Sequence, residues 1–137
     1  MRLIRDDLRE LALFSGASRS ELAVIGRQLT RLNIAAGTVL VREGSRGDEF
    51  MIVLEGEAEV SQGGRAIATI GPGDLVGEMA LLHEDRRGRR NATVTALSDM
   101  VIYAGSPSEF RQILDAAPSV AEKIRQTVEG RALRNAA

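Results

Sequence analysis

A mainly β domain with flanking helices, a sandwich or jelly-roll barrel, is predicted by three features of the sequence. Short apolar runs follow one another at close intervals from about Leu29 to Gly105, glycine-containing turns lie between them, and no long helical pattern interrupts them. Helical periodicity is confined to the two ends of the chain.

The 137 residues are enough for one domain with a hydrophobic core and too few for two ordinary ones. One domain over 1–137 is therefore expected, with helices in 1–28, the β-barrel in 29–105 and helices again in 106–137. Apolar residues make up 44% and charged residues 27%, the net charge is −1 and the sequence pI is near 5.9. That balance is ordinary for a globular protein and argues against a dedicated nucleic-acid binder. With no cysteine, disulfides, thiolate metal sites and cysteine nucleophiles are excluded. The charged start MRLIRDDLRE lacks a signal-peptide core, and no stretch approaches the roughly 20 apolar residues of a membrane span, so a cytoplasmic protein is expected. Lys123 is the single lysine among eighteen basic residues, which reads as codon bias.

Leu3 to Phe14 carries apolar residues at helical spacing and ends at Gly16. Ser18 and Glu21 form a capping-box pattern ahead of Leu22, Ile25 and Leu29, so a second helix should start at Ser18. Strands are expected over Leu29–Ile34, Thr38–Arg42, Glu49–Leu54, Ala58–Ser61, Arg65–Ile70, Asn91–Ala96 and Met100–Ala104. Gly63-Gly64 suits a tight hairpin, because both positions can take positive φ. Ser106-Pro107-Ser108-Glu109 is a helix start, with proline at the first helical position, and Phe110, Ile113 and Leu114 face the core. Pro118 breaks that helix, and Ser119 with Glu122 starts another carrying the stripe Val120, Ile124, Val128.

The chemistry concentrates in Gly73 to Val94, GDLVGEMALLHEDRRGRRNATV. A backbone turn opened by Gly77 presents N–H groups to an anion, an arginine adds a bidentate fork, and Glu78 can accept bonds from hydroxyls. A sugar phosphate fits such a stretch. In the plain reading, Arg86, Arg87, Arg89 and Arg90 are a solvated loop and Glu78 is a first-turn acid favoured by the helix dipole. Arg90 differs from the other three because it abuts the apolar strand that follows, so its guanidinium can be aimed inward. Catalysis is not expected. His83 is the only histidine, so a metal site of several histidines is impossible, and Glu55, Glu57 and Glu59 alternate like the wet face of a strand.

Gly77-Glu78-Met79-Ala80-Leu81-Leu82 followed by Arg90-Asn91-Ala92-Thr93-Val94 resembles the phosphate-binding cassette of the cyclic-nucleotide-binding domain family. The Gly44-to-Gly47 turn, the Phe50-to-Gly56 strand and the Gly71-Pro72-Gly73-Asp74 turn agree with it, so the likeness runs from about Leu8 to about Arg131. It implies a double-stranded β-helix, or jelly-roll, with N-terminal helices, a short cassette helix and two C-terminal helices. It also implies that Glu78 accepts the ribose 2′-hydroxyl, that Arg90 pairs with the cyclic phosphate, and that N–H groups from Gly77 through Met79 to Ala80 hold the phosphate oxygens. Val60, Ile67 and Val76 would wall the base and ribose, and Asn91 would sit beside phosphate and base. The span from Glu78 to Arg90 is longer than is usual in the family, Arg89 replaces a common proline, and Asn91 replaces a serine, threonine or alanine. Since threonine there accompanies a cGMP preference, its absence tilts the expectation to cAMP.

In the family the last helix swings onto the nucleotide as a lid, and Val128, Arg131 or Leu133 would then cover the base. The stripe Val120, Ile124, Val128 equally fits packing on the barrel or the seam of a homodimer. The expected function is a non-catalytic sensor with no cofactor, which passes binding to an unknown protein effector. A protein-interaction module that has lost its ligand, or a domain cut from a larger cAMP-responsive regulator, are the alternatives.

Overall fold

The computed structural model of the chain describes residues 14–45, 49–77 and 90–126. They fall into two compact units, Thr30–Pro107 and the described parts of 1–29 with 108–137. The first unit holds eight strands among the described residues: β1 (Thr30–Ile34), β2 (Val39–Val41), β3 (Phe50–Glu55), β4 (Ala58–Gln62), β5 (Arg65–Ile70), β6 (Leu75–Val76), β7 (Thr93–Ala96) and β8 (Met100–Gly105). They form two four-stranded sheets of order β1-β8-β3-β6 and β2-β7-β4-β5, and every pairing is antiparallel. The chain changes sheet at every connection between described strands except β4 to β5, as it does in a jelly roll.

The turns explain the path. Gly63 and Gly64 have φ of 57° and 80° and join Gln62 to its register partner Arg65, a two-residue loop of the type I′ kind that matches the twist of its strands. Pro72 and Gly73 are the middle of a second turn, in which Asp74 N donates to Gly71 O at 3.0 Å and Gly73 has φ 90°, the type II arrangement. The Asp74 carboxylate accepts from Gly71 N at 2.8 Å and locks it. That turn delivers the chain into β6, which the apolar pattern does not announce because it is two residues long.

Between the sheets lies a cluster of Val41, Met51, Val53, Ala58, Ile70, Val76, Val94, Ala96, Met100, Ile102 and Ala104, with Ile34, Leu40 and Val60 packed against it. Phe50 and Ile52, on the other face of β3, are buried too. The continuous apolar run FMIVL is therefore explained by a strand covered on both faces.

In the second unit, α1 (Arg19–Gln28) begins with the expected capping box. Glu21 N donates to Ser18 Oγ at 3.1 Å and Ser18 N to Glu21 Oε1 at 2.9 Å. Ser18→Ala is expected to lower unfolding stability by about 1 kcal/mol in urea titration, the usual loss for an N-cap. Helix α2 (Pro107–Ala116) starts with its proline and buries Phe110 and Ile113. The next helix runs over 118–126 and starts at Pro118, one residue before the expected Ser119. A first-turn N–H has no intrahelical partner to lose, so proline is well placed there. Val120 and Ile124 are almost fully buried within the chain, which leaves neither available for a dimer seam. Lys123 Nζ is 2.7 Å from Ser15 Oγ, so the lone lysine fastens this helix to the turn after Phe14. The helix expected over Leu3 to Phe14, all but its last residue, lies outside the described residues. No helix among the described residues is long and apolar enough to cross a membrane.

Candidate functional site

Arg90 is partly buried and tied down at both ends. Its backbone makes two bonds to the turn after β2, with Arg90 N donating to Ser45 O at 2.9 Å and Gly44 N to Arg90 O at 2.8 Å. This pair extends the β2–β7 ladder, in which Val41 faces Val94, three residues beyond regular strand. The side chain reaches another part of the chain, where Nη2 donates to the carbonyl of Glu49, just before β3, at 2.7 Å. The guanidinium therefore has a fixed direction although residues 90–92 are not in a strand.

Gly77 follows β6 and has φ +87°. A Cβ at this position would sit 2.5 Å from Arg90 Nη1 and 2.6 Å from the Glu49 carbonyl oxygen. Its hydrogen is thus a spatial requirement: the bare backbone of Gly77 lies against the flat guanidinium. Sequence reasoning assigned Gly77 to N–H donation, and its part in making room for Arg90 was not legible.

The apolar positions follow the sheets. Val76 is buried next to Gly77 and pairs with Met51. Val60 pairs with Val94 and Ala68. Ile67 is half exposed and stands out of register, because Val60 faces Ala68 and Ser61 faces Ala66, so it is the extra residue of a β-bulge. Bulges re-aim a side chain and increase twist, which accounts for an isoleucine standing out from a barrel strand. Asn91 is exposed, and its backbone carbonyl accepts from Gln62 Nε2 at 3.0 Å.

The structure thus brings Val76, Gly77 and Arg90 to one locus and sets Val60, Ile67 and Asn91 along β4, β5 and the approach to β7. Glu78, Met79, Ala80, the loop His83 to Arg89, and Val128, Arg131 and Leu133 lie outside the described residues. Sequence reasoning missed Glu49, which contributes only a carbonyl, and the pair Glu43 and Gln62. No residue-type signal could have found Glu49.

What this arrangement offers is a cation held in a fixed orientation beside a glycine, at the edge of an apolar barrel. Such a cation can pair with an anion.

Comparison with known proteins identifies the family. Residues 31–117 match the family described as "Cyclic nucleotide-binding domain". A putative potassium channel protein of Rhodopseudomonas palustris is 35% identical over 127 residues, covering 90% of this chain and 30% of its own. The cAMP-dependent protein kinase regulatory subunit of Schizosaccharomyces pombe is 32% identical over 111 residues, covering 80% of this chain and 26% of its own. Among solved structures, cAMP-bound PfPKA-R superposes with a TM-score of 0.80 at 25% identity, over 92% of this chain and 43% of that one. The chain spans only 26% to 31% of the length of the first four curated relatives it matches. By its jelly-roll sheets and by a match over most of its length, the chain belongs to the cyclic nucleotide-binding domain family.

Proposed function

We propose that this chain binds cAMP, in preference to cGMP, and acts as a non-catalytic regulatory module. The observation that carries the reading is the fixed guanidinium of Arg90, set against the bare backbone of Gly77 and the Glu49 carbonyl. A cyclic phosphate has one negative charge and two free oxygens, which a planar fork can meet in bidentate fashion. Backbone N–H groups from Gly77 through Met79 to Ala80 complete the phosphate contacts, Glu78 accepts the ribose 2′-hydroxyl, and Val60, Ile67 and Val76 bound the base and ribose. Ile67, standing half exposed on its bulge, gains most by covering an apolar base.

The preference for cAMP rests on Asn91, whose backbone is held by Gln62. A threonine hydroxyl, which favours cGMP in the family, has no counterpart there. Binding shifts the C-terminal helix as a lid, with Val128, Arg131 or Leu133 over the base, because the bound state gains contacts that the free state lacks. A cytoplasmic protein effector reads that shift. The domain assignment 1–137 follows from the same reading. Isothermal titration of the purified chain with cAMP and cGMP checks it: saturable heat with cAMP and weaker binding of cGMP are expected. Absence of heat at millimolar cAMP would leave the interaction-module reading, in which a pull-down succeeds without nucleotide.

A further inference from the structure

Arg90 lies beyond the end of β7, where a two-stranded ladder would ordinarily fray, and a set of bonds from outside that ladder holds the place. The turn Arg42 to Ser45 closes with Ser45 N donating to Arg42 O at 3.1 Å, and Ser45 Oγ donates to the same oxygen at 2.6 Å. Inside this turn, Glu43 is bonded in two directions. Its N–H donates to Thr93 Oγ1 at 3.0 Å, and its carboxylate accepts from Gly63 N, 2.9 Å to Oε1 and 3.4 Å to Oε2. Gly63 is the tip of the β4–β5 hairpin. From the residue before that tip, Gln62 Nε2 returns across to Asn91 O. Residues 90, 91 and 93 are thus bracketed by the β2 turn on one side and the hairpin tip on the other, and Glu43 joins the two.

We propose that Glu43 and Gln62 are positioning residues for Arg90, which aim its guanidinium without touching the ligand. The inference rests on the nucleotide-binding reading, with Arg90 as the phosphate partner. Electrostatics alone gives the opposite sign, which makes the idea testable. Removing a carboxylate near an anion site should tighten the binding of an anion, whereas loss of the bracket lets Arg90 swing and weakens it.

The test compares cAMP titrations of Glu43→Ala, Glu43→Gln and Gln62→Ala with the unaltered chain, and repeats Glu43→Ala in an Arg90→Lys background. Glu43→Ala and Gln62→Ala should each weaken binding about three- to tenfold, the range of one lost hydrogen bond. Glu43→Gln keeps an acceptor for Gly63 N and should stay within about twofold of the unaltered chain. A lysine has no fork to aim, so in that background the effect of Glu43→Ala should shrink to under about twofold. Equal or tighter binding by Glu43→Ala, or an undiminished loss beside Arg90→Lys, overturns the proposal.

Hydrogen exchange in the nucleotide-free proteins supplies a readout that needs no ligand. The Gly44 and Arg90 amides should exchange at least about threefold faster in Glu43→Ala, and the Arg90 amide in Gln62→Ala, but neither in Glu43→Gln. Unchanged exchange in both alanine variants sinks the bracket even if cAMP binds. If the unaltered chain gives no heat with cAMP, the binding reading falls, and the exchange data alone decide whether Glu43 and Gln62 place Arg90.

Discussion

Arg90→Ala is expected to raise the dissociation constant for cAMP by more than tenfold, since a charge-assisted bidentate pair in a partly desolvated site is worth about 1.5–3 kcal/mol. The partial burial of Arg90 justifies a value well above that of a surface ion pair. Truncation also frees the Glu49 carbonyl, but water can replace that donor near the surface, so stability should fall little. The variant therefore separates binding from folding. Arg90→Lys keeps the charge, loses the planar fork and should fall between the two, which distinguishes shape recognition from simple attraction. Both follow from isothermal titration, with a thermal melt as the folding control. Retained affinity in Arg90→Ala would place the phosphate elsewhere in the chain.

Part of that expectation is legible in the sequence. Arginine directly ahead of an apolar strand, with a glycine in the same stretch, singles out Arg90 and Gly77 by residue type and order, while the pairing of Arg90 with a cyclic phosphate is what the family resemblance implies. A sandwich or jelly-roll barrel is legible for the same reason, because short apolar runs and turn glycines such as Gly63-Gly64 are local signals, while the choice of the jelly roll comes from the family resemblance. What sequence could not carry was the return path. Glu49 contributes a carbonyl, which every residue possesses, and Glu43 reads as one more surface acid until the β4–β5 tip is folded next to it. The bulge at Ile67 is a difference in register between two strands, and neither strand encodes it alone. Strand β6 is too short to show a period, and its place is set by pairing with Met51 and Ile52. Pro118 does end α2, which closes at Ala116, and the same proline opens the next helix, so that helix starts one residue ahead of Ser119.

Gly77→Ala is the substitution expected to damage both folding and binding, and Gly73→Ala is its control. Both glycines have positive φ, 87° at Gly77 and 90° at Gly73, so a side chain costs about 1–2 kcal/mol of backbone strain at either. Around Gly73 an added Cβ meets nothing within 4 Å, and strain is then the whole effect. Around Gly77 it meets Arg90 Nη1 at 2.5 Å and Glu49 O at 2.6 Å. The guanidinium is the end of a flexible chain and can move, but the carbonyl belongs to the backbone just before buried Phe50 and cannot yield cheaply. Gly77→Ala should thus lower stability in urea titration by about 3 kcal/mol, the strain plus an overpacking cost of the usual size. Because relief of the clash drives Arg90 from its place, cAMP affinity should fall by more than tenfold, as in Arg90→Ala. Gly73→Ala should bind cAMP as the unaltered chain does. Combining Gly77→Ala with Arg90→Ala removes one of the two clashes, so the stability losses should sum to less than their separate values, while affinity falls no further. Strict additivity in both quantities would mean that Gly77 and Arg90 act independently, and that the glycine serves the turn after β6 and not the arginine.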